Sequence, residues 1–226
     1  MSAALVPVKH LSGSKTRLAA LWPRDALGSL CLAMLGDLLE ALAGARRVDR
    51  TAVVTPDPRV AEAARAAGAT AFELTDPGLN PSIERGAERL ALAPDEPLLV
   101  VLGDVAAARS EDFDRMFETL DDLGGRGAVL AGSDDGGTSA LLRAPADVFA
   151  PRFGRDSAAR HAEAAAAAGV PCVALRLASL RIDVDSPDDL ARLIDGPGPS
   201  GLGPARRTRA LVAERESAGA AGRSTP

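Results

Sequence analysis

The chain has 226 residues, 46% hydrophobic and 25% charged, with a formal net charge of −5. A chain of this size and balance builds a core without disulfide or metal staples, and its acidity gives no electrostatic case for binding nucleic acid or an anionic membrane. The opening MSAALVPVKHLSG is not that of a signal peptide, no window reaches ~18 uninterrupted apolar residues, and Cys31 and Cys172 lie in apolar surroundings as reduced thiols, so the expected compartment is the cytoplasm.

Residues 4–8, Ala-Leu-Val-Pro-Val, form the first predicted strand, with Pro7 near its end. Over residues 24–43, Leu27, Leu30, Cys31, Met34, Leu35, Leu38 and Leu42 recur at three- and four-residue steps, which is one face of a long helix. A strand over 51–54 stops at Thr55-Pro56-Asp57-Pro58, a helix over 59–67 closes at Gly68, and a strand over 70–74 follows. A helix fits 81–92. Residues 98–102, Leu-Leu-Val-Val-Leu, are continuously apolar, as in a strand covered on both faces. Strands are expected at 128–130, 139–142, 170–175 and 180–184, a helix at 157–168, and a last helix from Ser186 with Pro187 in its first turn. From residue 196 Gly and Pro dominate, so 196–226 is expected to be a disordered tail on a single domain over 1–195. Nothing in the sequence fixes an oligomeric state.

Alternating strands and helices predict an α/β fold with a mostly parallel sheet and helices on both faces. Ligands of such sheets lie beyond the carboxyl ends of the strands. Lys9 follows the first strand, Asp57 the second and Asp104 the fourth. The stretch VKHLSGSKTRL has the outline of a P-loop but fails at two positions, because Ser14 precedes Lys15 where Gly is needed and Lys9 holds the earlier Gly position. What remains is a loop with Gly13, the backbone N–H groups of Ser12, Gly13 and Ser14, and three cations, Lys9, Lys15 and Arg17. They repel one another unless an anion such as a polyphosphate sits among them; the bland alternative has all three facing solvent. Asp104, just past the strongest strand, can reach a Mg²⁺ at the sheet edge or be a plain loop residue. Strand alternation over 181–187 puts Asp183 and Asp185 on one face. Either could complete a Mg²⁺ site opposite Asp104, and Asp185 could instead cap the last helix.

Val6-Pro7-Val8-Lys9, Lys15-Thr16-Arg17-Leu18, Val54-Thr55-Pro56-Asp57, Gly78-Leu79-Asn80, Asp135-Gly136-Gly137-Thr138, Phe153-Gly154 with Ser157, Arg160 and His161, and Asp183-Val184-Asp185-Ser186-Pro187-Asp188-Asp189-Leu190 occur in that order. As a set spanning residues 4–194, they resemble the guanylyltransferases of coenzyme F-420 biosynthesis, which join GMP to phosphoenolpyruvate or 2-phospho-L-lactate. The resemblance implies a Rossmann-like nucleotidyltransferase fold, with GTP and a small phosphorylated acid as substrates. It implies Thr138, Gly154 and Ser157 as acceptor-binding residues, with Arg160 and His161 adding charge to the same anion.

Two departures stand out. Gly103-Asp104-Val105-Ala106 keeps the family's Asp but loses a proline, and in Asp135-Gly136-Gly137-Thr138-Ser139 a serine replaces an amide. The expected chemistry is nucleotidyl transfer with Lys15, Arg17, Asp104 and Asp185 at the reacting phosphates. Lys9, Lys15 and Arg17 would hold the β- and γ-phosphates, Asp57 and Asn80 the base and ribose, and Asp104, Asp183 and Asp185 are the candidate Mg²⁺ ligands. The alternatives are a related nucleotidyltransferase with another phosphorylated acceptor and a non-catalytic nucleotide-binding module.

Overall fold

The structure, a computed structural model, describes residues 1–13, 15, 17–20, 22–133, 136–195 and 204–221. Among them, strands β1 (Ala3–Pro7), β2 (Arg50–Thr55), β3 (Thr70–Glu73), β4 (Leu98–Val101), β5 (Gly127–Gly132), β6 (Thr138–Ala144) and β7 (Cys172–Leu175) form one sheet in the order β3-β2-β1-β4-β6-β5-β7. The helices are α1 (Arg24–Gly44), α2 (Pro58–Ala66), α3 (Leu79–Leu90), α4 (Ser110–Asp122), α5 (Ser157–Ala167), α6 (Pro187–Asp195) and α7 (Arg206–Ala221). All pairings are parallel except those of β6, which runs antiparallel to both β4 and β5. The mostly parallel mixed sheet is as the sequence predicts.

Successive strand residues point to opposite faces, and each face has its own core. Val6, Val53, Leu99 and Val101 pack with Leu30, Met34, Leu38 and Phe113 of α1 and α4. Leu5, Val54, Leu98 and Val100 pack with Ile83 of α3 and Ala165 of α5. This double covering explains why residues 98–102 are apolar without alternation.

Three expectations change. The segment 180–184 is not a strand: a 3-10 turn (Ala178–Leu180) leads into irregular backbone. Its alternation arises because Ile182 and Val184 are buried in the core, while Val184 N–H bonds to the Asp104 carbonyl at 3.3 Å rather than to a sheet neighbour. Helix α4 has no counterpart in the sequence reading, although Phe113, Met116, Phe117 and Leu120 carry the helical spacing of a buried face.

The disordered tail is corrected over Arg206–Ala221, which is helical and docks on α1. Asp37 of α1 accepts bonds from Arg207 N–H and Thr208 N–H, both at 2.9 Å, and from the Thr208 hydroxyl at 2.6 Å. A carboxylate from another helix thereby caps α7. Val212 of α7 is buried, and the Arg215 guanidinium lies 4.9 Å from the Trp22 ring centroid. The remaining tail residues, 196–203 and 222–226, lie outside the described residues. Docking also accounts for the apolar character of α1: residues 26–44 are long and apolar enough to cross a membrane, but here they form a core helix with the sheet on one side and α7 on another.

Candidate active site

Beyond the carboxyl end of β1, the chain turns over a buried support. Asp57 caps α2 through Arg59 N–H at 2.9 Å and accepts Leu11 N–H at 3.0 Å. Burial works against its charge, but those backbone donors prevail and hold its pKa below the ordinary carboxylate value. Asp57 therefore braces the loop after β1.

From that loop Lys15 reaches inward. Its Nζ is 2.8 Å from Asp104 Oδ2 and 2.5 Å from Asp185 Oδ1, with its side chain only 7% exposed. Burial disfavours the ammonium, yet the two carboxylates outweigh burial and raise its pKa above the ordinary lysine value. Its backbone is left-handed, with φ at +56°, which an L residue adopts only where its surroundings impose it.

Each partner arrives for a local reason. Gly103 allows the chain leaving β4 to pass beneath β1, since a Cβ there would stand 2.8 Å from Val8 Cγ2; Asp104 follows directly. The bond from Val184 N–H to Asp104 O then brings the late acidic segment alongside. The cap of α6 is a reciprocal pair: Asp189 Oδ2 accepts Ser186 N–H at 2.9 Å, and Ser186 Oγ accepts Asp189 N–H at 3.3 Å. The Asp185 side chain is left to meet Lys15, and the Ser-x-x-Asp spacing was the readable signal that Ser186, not Asp185, caps the helix.

These residues line a cleft of ≈ 280 Å³ together with Lys9, Cys31 and Asp183. Lys9 and Arg17 are exposed, so Lys15 is ion-paired apart from the other two cations rather than packed among them. Ser14 and Thr16 lie outside the described residues.

The donor set suits Mg²⁺ of a particular kind. No cluster of three or more His, Cys, Asp or Glu exists among the described residues, so an all-protein cage is not formed by them. Mg²⁺ bound mainly by water and phosphate needs only one or two carboxylates. Asp104 Oδ1 is buried with no hydrogen-bond partner among the described residues, and Asp185 stands opposite across the Lys15 ammonium. Asp183 lines the same cleft.

The residues expected at the acceptor form a second cluster at the amino end of β6. Because β6 is antiparallel, its first residues lie at the same sheet edge as the last residues of β4; Leu102 N–H bonds to Ser139 O at 2.9 Å across the two. Ser157 Oγ donates to Thr138 Oγ1 at 3.0 Å, and Thr138 Oγ1 is 3.1 Å from His161 Nδ1. Arg152 N–H donates to His161 Nε2 at 2.8 Å, which fixes the ring proton on Nδ1 and makes Nδ1–H the donor to Thr138.

His161 is fully buried. Burial, followed by the charges of Arg143, Arg160 and Arg152, pushes its pKa down to about 4. The ring is thus held neutral, and through Arg152 N–H it anchors the Arg152–Gly154 segment. Asn80 supports the same segment. Its amide donates to Phe153 O at 3.1 Å and accepts Phe153 N–H at 2.8 Å, clamping the same segment from α3.

Gly154, at φ +121°, ends that segment; a Cβ on it would meet Arg160 Nη2 at 3.2 Å. The Arg160 guanidinium thus lies against the Gly154 backbone, with its Nε buried and unpartnered among the described residues. Ser139, the serine in place of an amide, also carries a buried hydroxyl with no partner there. Asp135 lies outside the described residues.

The family described as "Guanylyl transferase CofC like" matches residues 2–206. The chain belongs to this family. A phosphoenolpyruvate guanylyltransferase of Sphaerobacter thermophilus is 38% identical over 191 residues, covering 84% of this chain and 91% of that one. A 3-phospho-D-glycerate guanylyltransferase of Phenylobacterium zucineum is also 38% identical, over 87% of this chain and 91% of its own. Among solved structures, a cytidylyltransferase from Leptospira borgpetersenii superposes with a TM-score of 0.61 at 16% identity, over 96% of both chains. A nucleotidyl transferase from Methanothermobacter superposes at 0.62 with 21% identity, over 86% of this chain and 96% of that one. These superpositions carry the fold, an α/β Rossmann-like nucleotidyltransferase sheet. The guanylyl transferase family match makes the chain an enzyme of nucleotidyl transfer.

Proposed function

We propose that this enzyme transfers GMP from GTP to phosphoenolpyruvate or 2-phospho-L-lactate with release of pyrophosphate, as a cytoplasmic step of coenzyme F-420 biosynthesis. The observation that carries this reading is the convergence of Lys15, Asp104 and Asp185 at the carboxyl edge of the sheet, in a chain of the guanylyl transferase family.

An acceptor phosphate oxygen attacks the α-phosphorus of GTP. The new P–O bond forms as the bond to the β-bridging oxygen breaks, and pyrophosphate leaves with that electron pair. The attacking oxygen is already ionised near neutral pH, so no general base is required, in keeping with the neutral, enclosed His161. The task left to the protein is to align two anions that repel each other.

Asp104 and Asp185, with Asp183 beside them, would hold Mg²⁺, which when bound neutralises charge on the reacting phosphate. Lys9, Lys15 and Arg17 offer cations to the β- and γ-phosphates. On the acceptor side, the Gly154 backbone, the Arg160 guanidinium and the first turn of α5 at Ser157 suit a phosphate or carboxylate. Thr138 and His161 hold that side in shape.

A second acceptor, 3-phospho-D-glycerate, is favoured by the name of the Phenylobacterium relative. Pyrophosphate release with Mg²⁺ and GTP, offering the three acids separately, tests both readings. Turnover with phosphoenolpyruvate or 2-phospho-L-lactate is expected. Turnover with 3-phospho-D-glycerate alone would replace the acceptor, and silence with all three would overturn the reading.

A further inference from the structure

At the centre of the cleft, the place where two carboxylates converge is taken by a side chain of the protein itself. Lys15 Nζ sits 2.8 Å from Asp104 Oδ2 and 2.5 Å from Asp185 Oδ1. Mg²⁺ binds oxygen at ~2.1 Å, so a cation on those same two oxygens would stand against the ammonium, like charge on like, beside a lysine side chain only 7% exposed. The ammonium and a divalent cation therefore exclude each other from the position between Asp104 Oδ2 and Asp185 Oδ1.

We infer that Lys15 is the resident counter-ion of Asp104 and Asp185, and that a divalent cation enters between them only after nucleotide phosphates have drawn the lysine away. The inference rests on the nucleotidyl-transfer reading above and adds an order of events to it.

Two further features fit an exchange rather than a permanent ion pair. Asp104 Oδ1 is buried without a partner among the described residues, so the lysine satisfies only one of the two oxygens. A hydrated divalent cation that replaces the lysine could engage both. The left-handed backbone of Lys15 is a conformation that persists only where contacts impose it, and its two ion pairs supply such contacts. When a triphosphate offers the ammonium new partners, the loop can relax as the lysine swings on its flexible four-carbon stem. The carboxylates are compensated in both states, by the ammonium before the exchange and by the divalent cation after it. The exchange couples the ligands: the triphosphate assembles its own metal site, and the cation alone binds poorly.

The experiment uses the full chain and Mn²⁺ as probe, with the aqueous Mn²⁺ signal followed by electron paramagnetic resonance. Without nucleotide, Lys15→Met is expected to bind Mn²⁺ at least ~10-fold more tightly than wild type, because the competing occupant is gone. Lys15→Arg, which keeps the charge, is expected to bind as weakly as wild type. A GTP analogue with an α,β-methylene bridge should tighten Mn²⁺ binding by wild type far more than by Lys15→Met. Equal nucleotide-free binding by wild type and Lys15→Met overturns the exchange. If circular dichroism shows that Lys15→Met does not fold, Lys15→Gln, which keeps a polar head for the carboxylates, carries the same comparison. Pyrophosphate release by wild type separates the two failures: turnover without the Mn²⁺ difference rejects the exchange alone, and the Mn²⁺ difference without turnover rejects the transfer reading alone.

Discussion

The two halves of the site use opposite electrostatics. Around Lys15, full charges meet at short range in a cleft open to ligand, and their partners can be traded for phosphate or metal. Around His161, neutral groups bond in series, from Arg152 N–H through the ring to Thr138 and Ser157, and a trade there would leave a buried polar group unpaired. The contrast suits the proposed tasks. A polyphosphate has to be neutralised and its product released, which suits exchangeable charge. A small acid has to be told from its neighbours by shape, which suits fixed backbone.

The sharpest way to break this contrast is Asp104→Ala. Loss of that carboxylate should lower pyrophosphate release by roughly 10²–10³-fold, the scale of losing one electrostatic contact to the reacting centre, with the circular dichroism spectrum unchanged. Retention of most activity would mean that the charged half does not touch the chemistry.

His161→Ala should act differently. It strips Arg152 N–H of its acceptor in the interior, at about 2 kcal/mol, and should lower the melting temperature by roughly 4–8 °C. The acceptor KM should rise while the GTP KM holds. An equal rise in both would show the halves to be one unit.

Acidity provides a milder probe. The His161 pKa lies at about 4 in the folded chain against an ordinary 6.5. As pH falls from 6.5 toward 4 the unfolded chain takes up a proton that the folded chain refuses, so this residue's contribution to stability declines through that window and levels off below it. Urea unfolding of wild type and His161→Gln across these pH values should show a steeper decline for wild type; parallel curves would put the ring in contact with water.

The smallest effect is expected away from both halves. Asp37→Ala removes the cap of α7, at about 1 kcal/mol, and should lower the melting temperature by roughly 2–4 °C while leaving both KM values unchanged.

The sequence carries the alternation of strands and helices plainly, and with it the edge where Lys15, Asp104 and Asp185 meet, because residues just past parallel strands have few other places to go. It does not carry the partner that a polar side chain finds. Asp57, Asn80 and His161 all lie among the motifs of a nucleotide enzyme, and each proves to hold backbone: Leu11 and Arg59, Phe153, and Arg152. Spacing cannot distinguish a side chain that touches ligand from one that supports the loop beneath it. The error at 180–184 is of another kind, since two buried apolar residues on alternate positions look the same whether the segment pairs in a sheet or lies singly on a core. Helix α7 was hidden by the Gly and Pro residues before it and by a cap, Asp37, that lies far back in the chain.

The β5–β6 hairpin has a consequence for how such enzymes diversify. The antiparallel strand enters the sheet beside β4 with its first residues at the reactive edge, and the turn before it is closed by Ser133 N–H donating to Gly137 O at 3.2 Å. That turn also meets the acceptor helix, through Ala158 N–H to Gly136 O at 3.3 Å. Insertions or exchanges in this turn can reshape the pocket for the acid while the nucleotide machinery stays in register, so the hairpin works as an interchangeable part on a constant engine.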